Sequence, residues 1–172
     1  EAGGPFTISI KGYSEVVLKN ILIGEVWLCS GQSNMEMSVN WGIDDGEEEV
    51  QNASNKNIRF YTVPKSIAAT PQHNLSGNWV ESTPETMRNF SAIGYFFAKR
   101  LQEDLKNVPI GLISSNWGGT PAEIWIPEEV VQNNPVLLES AKKLNNQEYD
   151  PHLPGRAYNA MIHPFAGCKI AG

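Results

Sequence analysis

The sequence predicts an α/β protein built on an open, mostly parallel sheet, and three stretches carry that reading. Gly24–Cys29 is a short strand with bulky apolar residues, and it runs into the sharp turn Ser30-Gly31-Gln32-Ser33-Asn34. Ala92–Leu105 is a helix-length segment with Ser91 in the N-cap position. Ile110-Gly111-Leu112-Ile113-Ser114 follows closely as a continuous apolar run, the pattern of a strand covered on both faces. A helix leading directly into such a strand is the αβ half of a βαβ unit.

The remaining elements follow in order. Phe6–Ile10 alternates as a strand, Lys11-Gly12-Tyr13-Ser14 turns the chain, and Val16–Asn20 reads as the returning strand of a hairpin. Because this pair precedes Gly24–Cys29, it is expected to form a β element of its own. Glu36–Val39 is expected to continue into a short helix behind the Ser33 turn. Asn40–Asn57 is polar and carries Asp44, Asp45 and Glu47–Glu49. Such a cluster either binds a cation or is a solvated face, and the solvated face is the expectation. Asn57–Val63 alternates and stops at Pro64, which marks another sheet strand; Lys65–Ser76 has no periodicity and reads as loop. Trp79-Val80 is a short extended piece, and Thr83-Pro84-Glu85-Thr86 begins a turn.

Within Ala92–Leu105, the residues Ile93, Phe97, Leu101 and Leu105 fall at i, i+4 spacing and predict the buried stripe, widened by Ala98. Tyr95-Phe96-Phe97 is read as core, and Gly94 as a point of close helix–sheet packing. Pro127–Val131 is a helix start with acids in the first turn, and Pro135–Leu144 forms a further helix. Ala157–Pro164 is a helical turn stopped by Pro164, and Cys168–Gly172 opens one more strand.

Composition narrows the function. A chain of 172 residues is long enough for one domain with a sizeable core. A net charge of −6, with no Lys/Arg run longer than Lys142-Lys143, argues against a nucleic-acid partner. No apolar run is long enough to cross a membrane, and Glu1–Pro5 has neither the basic nor the apolar character of a signal peptide. Two cysteines, Cys29 and Cys168, make neither a disulfide framework nor a metal set; buried free thiols are expected, with a Cys29–Cys168 bridge as the alternative.

Two glycine-rich turns carry the chemistry. Gln32-Ser33-Asn34 offers three polar side chains at a strand's C-terminal end, where open α/β sheets bind ligands. A serine hydroxyl is a weak nucleophile until a base takes its proton, so Ser33 is either a catalytic serine or part of a polar turn. After the Ile110–Ser114 strand, Gly118-Gly119 presents backbone N–H groups unshielded by a Cβ, either to accept close approach of a substrate oxygen or simply to turn the chain.

Gly31-Gln32-Ser33-Asn34-Met35 resembles the first block of the SGNH hydrolases, in the branch that includes sialate O-acetylesterases and related carbohydrate acetylesterases. It departs from the G-x-S-x-G nucleophile elbow, since Met35 stands at the second glycine. Ser115–Glu123 resembles the second block of that family. Phe90–Tyr95, Val108–Ile113 and Tyr158–Pro164 are similar to it as well, so the resemblance spans nearly the whole chain. It implies a three-layer α/β/α flavodoxin-like domain over residues 23–172, with residues 1–22 as the tail of an N-terminal β-sandwich domain. It further implies Ser33 as nucleophile, with the N–H of Ser33 and of Gly118 (or Gly119) in the oxyanion hole. Gln32, Asn34, Gly119 and Trp117 are then expected at the substrate, and Trp125 in buried packing.

The expected reaction is acyl-enzyme hydrolysis of acetylated sugars without metal or cofactor, by a protein that is secreted or periplasmic. The family's downstream Gln-containing block and its Asp-x-x-His are not matched. Of His73, His152 and His163, only His152 has an aspartate close before it, in Asp150-Pro151-His152, and Pro151 argues against a catalytic pair. The expectation is therefore an N-terminal portion of the catalytic domain, inactive by itself. It would associate with a C-terminal half or with itself through an open sheet edge. A non-catalytic carbohydrate-binding module on the same fold, and a lipase- or thioesterase-like SGNH hydrolase, are the competing readings.

Overall fold

The computed structural model describes residues 1–144 and 151–172. Two sheets form. Strands β1 (Gly3–Lys11) and β2 (Glu15–Ile23) make an antiparallel hairpin that, among the described residues, pairs with no other strand. The second sheet has β3 (Glu25–Gly31) beside β6 (Ile110–Asn116), then β4 (Asn55–Thr62), then the short β5 (Val80–Ser82). β6 runs parallel to both β3 and β4, and only β5 is antiparallel. The expected α/β architecture with an open, mostly parallel sheet is present.

This sheet is buried on both faces, and the side-chain alternation divides two cores. Trp27 and Cys29, Ile58 and Phe60, and Ile110 and Leu112 point to one face, where they meet Met87, Phe90, Tyr95 and Ala98. Val26 and Leu28, Tyr61 and Val63, and Ile113 point to the other, against Ile124, Ala157, Ala160 and Met161. The first face is covered by α2 (Gly46–Gln51), α3 (Pro84–Arg88) and α4 (Ala92–Asp104). The second is covered by a 3-10 turn at Ala122–Trp125 and a π-helical turn at Tyr158–Ile162. Helices α5 (Glu128–Asn133) and α6 (Pro135–Ala141) follow the first of these turns.

Helix starts obey local chemistry. Ser91 Oγ accepts the Gly94 N–H, as the N-cap reading requires. Thr83 and Thr86 exchange side-chain-to-backbone hydrogen bonds as a capping box, so the Thr83–Thr86 turn is the first turn of α3.

The apolar spacing predicts only part of the buried face of α4: Ala98, Leu101 and Leu105 pack on the core as expected, but Ile93 and Phe97 do not. Gly94, Tyr95, Ala98 and Gln102 are buried, whereas Ile93 and Phe97 are 49% and 39% exposed. The smaller residues decide this. A Cβ on Gly94 would sit 3.3 Å from Cys29 Sγ, so the helix lies on the sheet along its Gly94–Ala98 side. Phe97 is left at the flank, edge-on to Trp27 at 5.0 Å, and Phe96 is also partly exposed. Gln102 is buried because it is satisfied, its Oε1 accepting from Asn55 Nδ2 at 2.7 Å.

The acidic stretch is a solvated face as expected, with Asp44, Asp45, Glu47 and Glu48 exposed; at the surface Glu47 is forked onto Arg88, and Glu49 pairs with Lys99. Two further expectations change. The helix after Ser33 does not continue through Val39: α1 is the single turn Ser33–Glu36. Both cysteines are free; Cys29 is buried as expected, but Cys168 is exposed. At the chain's C-terminal end, Ala171 N–H donates to Val26 O and Leu28 N–H to Gly172 O, both at 2.8 Å. The last residues therefore lie along the outer edge of β3, in the direction expected of a further parallel strand.

Candidate active site

The parallel pairing of β3 with β6 determines where the site forms. Their last paired residues are Gly31 and Asn116, so both glycine-rich turns leave the sheet side by side at its C-terminal end. Gly31 has φ +146°, a backbone conformation glycine tolerates, and its carbonyl accepts the Trp117 N–H at 3.0 Å. The two turns are thus joined through the backbone as well as through the sheet.

Ser33 is the first residue of α1, half-buried, between exposed Gln32 and exposed Asn34. Its own N–H has no hydrogen-bond partner among the described residues, as befits the first turn of a helix. Among the described residues, the one hydrogen-bond partner of Ser33 Oγ is Gln32 Oε1, at 3.4 Å. An amide oxygen is not a base.

Gly118 lies directly against the serine. A Cβ there would fall 3.3 Å from Ser33 Cα, 3.4 Å from Ser33 Cβ and 3.0 Å from Glu36 Oε2. Glycine is therefore what lets the second turn reach the first. The Gly118 N–H donates to Glu36 Oε2 at 2.5 Å, and Glu36 Oε1 pairs with Lys65 Nζ at 2.5 Å. Lys65 in turn stands 5.8 Å from the centre of the Trp117 ring. Gly119 is exposed with φ +81°, and its N–H has no partner among the described residues. Thr120 braces the turn, donating to Trp117 O at 2.7 Å and accepting from Trp125 Nε1 at 3.0 Å. Trp117 and Trp125 both pack onto the second core.

Of the residues the sequence singles out, Ser33, Gln32, Gly118 and Trp117 are brought into one neighbourhood, with Gly119 at its exposed rim and Asn34 pointing to solvent. Glu36 and Lys65 are the members sequence reasoning missed. Glu36 carried a weak signal, one helical turn after Ser33 and so on the same face. Lys65 carried none, because its loop has no period. None of the three histidines touches Ser33 Oγ. His163 Nδ1 is bonded to Gln72 O at 2.9 Å and its ring meets His73 edge-on, which fits the expected structural role. Asp150 lies outside the described residues. Among the described residues no cluster of histidine, cysteine and carboxylate side chains has metal-binding geometry.

The fold and these paired turns define an α/β protein with a serine presented at the sheet's C-terminal end. Comparison with known proteins makes this specific. The profile of the family "Carbohydrate esterase, sialic acid-specific acetylesterase" matches residues 23–162. The sialate O-acetylesterases of Pongo abelii and Homo sapiens are each 31% identical over 187 residues, covering 99% of this chain and 35% of theirs. A carbohydrate acetylesterase from Xanthomonas citri superposes with a TM-score of 0.83 at 36% identity, over 99% of this chain and 36% of that one. The chain belongs to the sialic acid-specific acetylesterase family of carbohydrate esterases, and it spans about a third of the length of the curated relatives it matches.

Proposed function

We propose that this chain supplies the nucleophile and part of the oxyanion hole of a serine O-acetylesterase acting on acetylated sugars. The observation that carries the reading is the contact of two remote turns, with Gly118 packed on Ser33 at the end of a parallel sheet. Ser33 Oγ attacks the acetyl carbonyl as a base removes its proton; the sugar oxygen leaves protonated; water then releases acetate and regenerates the serine. Backbone N–H groups of the two turns hold the negative oxygen of each tetrahedral intermediate. The exposed Gln32, Asn34 and Gly119, with the flank of Trp117, form the substrate-facing rim. Family membership supports acetylated carbohydrate over lipid or thioester substrates. The reading extends to a secreted or periplasmic protein and to residues 1–22 as part of a separate β domain, which the unpaired hairpin supports.

Because no base contacts Ser33 Oγ among the described residues, the chain alone is expected to hydrolyse p-nitrophenyl acetate no faster than background. Imidazole supplied in solution is expected to stand in as base. Acetyl-Ser33 then accumulates and is detected by mass spectrometry, and Ser33→Ala shows none. Absence of acetyl-Ser33 with imidazole, together with retained binding of an acetylated sugar, would favour the non-catalytic binding reading.

A further inference from the structure

Glu36 places a carboxylate where the esterase reading puts an oxyanion donor. It is three residues after Ser33 on the same helical turn, and it accepts the Gly118 N–H. A carboxylate holding a backbone N–H is a charge-assisted hydrogen bond, stronger than one between neutral groups. Its second oxygen is held by Lys65 Nζ, which fixes the carboxylate and offsets its charge next to the serine. Among the described residues, Glu36 is thus the one side chain of the Ser33 turn hydrogen-bonded to the Gly118 turn. The backbone bond from Trp117 N–H to Gly31 O is a second direct tie. With Gly118 N–H occupied, the N–H groups of Ser33 and Gly119 are among those of this neighbourhood that have no hydrogen-bond partner among the described residues; Asn34 and Met35 are others.

We propose that Glu36 is a positioning residue of the esterase site. It clamps the Gly118 turn onto the serine turn through the Gly118 N–H, and so makes Gly119 rather than Gly118 the donor of that turn to the oxyanion, beside the N–H of Ser33. This rests on the esterase reading for its purpose, but the clamp itself is a property of the folded chain. It accounts for a glycine at 118, since a Cβ there would come within 3.0 Å of the clamping oxygen and push it aside. It also gives Lys65 a role, as the counter-ion that keeps Glu36 from repelling a negative intermediate close by.

Amide hydrogen exchange followed by NMR on this chain tests it without requiring catalysis. In the unaltered protein, the Gly118 amide is expected to be protected and the Gly119 amide to exchange at nearly the rate of an open chain. Glu36→Ala is expected to speed Gly118 exchange by about 10- to 100-fold, the loss of one hydrogen bond to a charged group, and to loosen Trp117 alongside it. Core amides of β6 remain protected. Glu36→Gln, which keeps an acceptor oxygen of the same reach, is expected to restore much of the Gly118 protection. Equal exchange at Gly118 and Gly119 in the unaltered protein overturns the proposal, and needs no variant to fold. So does a Glu36→Ala protein in which Gly118 and Trp117 are unchanged, or a Glu36→Gln protein as open at Gly118 as Glu36→Ala. Failure of Ser33 to acetylate in the imidazole experiment would instead count against the esterase reading, leaving the exchange result as it stands.

Discussion

The four-stranded sheet and the β1–β2 hairpin are written in much the same residues, yet one is the centre of the molecule and the other is nearly bare. In the sheet, Ile58, Phe60, Ile110 and Leu112 are almost wholly buried. In the hairpin, Phe6, Ile8, Ile10, Val16 and Leu18 keep 40% or more of their surface exposed. The hairpin's pairing puts Ile8 with Leu18 and Ile10 with Val16, so these apolar side chains share one face. Strand propensity made both elements; only the sheet has layers to either side. The difference separates forming a strand from contributing stability, because an apolar side chain stabilises the fold by leaving water.

The largest expected effect breaks the sheet. Leu112→Ala empties a site closed on all sides and is expected to cost about 2–5 kcal/mol, read from urea unfolding. At the junction of the two regions, Gly24 allows the passage from β2 to β3: a Cβ there would fall 1.9 Å from Pro109 O, a backbone atom. Gly24→Ala is expected to cost about 1–3 kcal/mol by forcing β3 away from its neighbour, measured by the same unfolding.

A pH experiment sharpens the contrast. Burial raises the Cys29 thiol from 9.0 to about 11. A raised acid holds its proton more tightly folded than unfolded, so its contribution is complete below the unfolded value and is lost as pH rises through the folded one. Unfolding midpoints are expected to fall between 9 and about 11, and Cys29→Ala to flatten that decline. At about pH 8 a thiol reagent is expected to modify exposed Cys168 and leave Cys29 untouched until the protein unfolds. The smallest effect belongs to the hairpin: Ile8→Ser is expected to change stability by less than about 0.5 kcal/mol. A loss comparable to Leu112→Ala would show that the hairpin is packed in solution, and would end the contrast.

Much of this architecture was legible locally. The Ser91 cap, the alternation of Asn57–Val63 and the apolar run Ile110–Ser114 each depend on near neighbours, and each formed as read. The buried side of α4 was legible in part: Gly94, Tyr95 and Ala98 pack as read, but the exposure of Ile93 and Phe97 was not foreseen, because it depends on the helix settling against Cys29 along its Gly94–Ala98 side. The site divided in the same way. Ser33 and the Gly118-Gly119 turn announced themselves by residue type and by resemblance. Glu36 and Lys65 did not, since their partners come from three separate parts of the chain.

By itself the sequence determined the α/β class, most of its strands and helices, and the two turns able to carry ester chemistry, since those follow from spacing, caps and glycine. The settling of α4 against Cys29 along its Gly94–Ala98 side, the adjacency of Gly118 and Ser33, and the engagement of the Gly118 N–H by Glu36 were decided only by the tertiary structure. The reason is physical: each is a contact between residues far apart in the chain, and it exists only after β3 and β6 have paired.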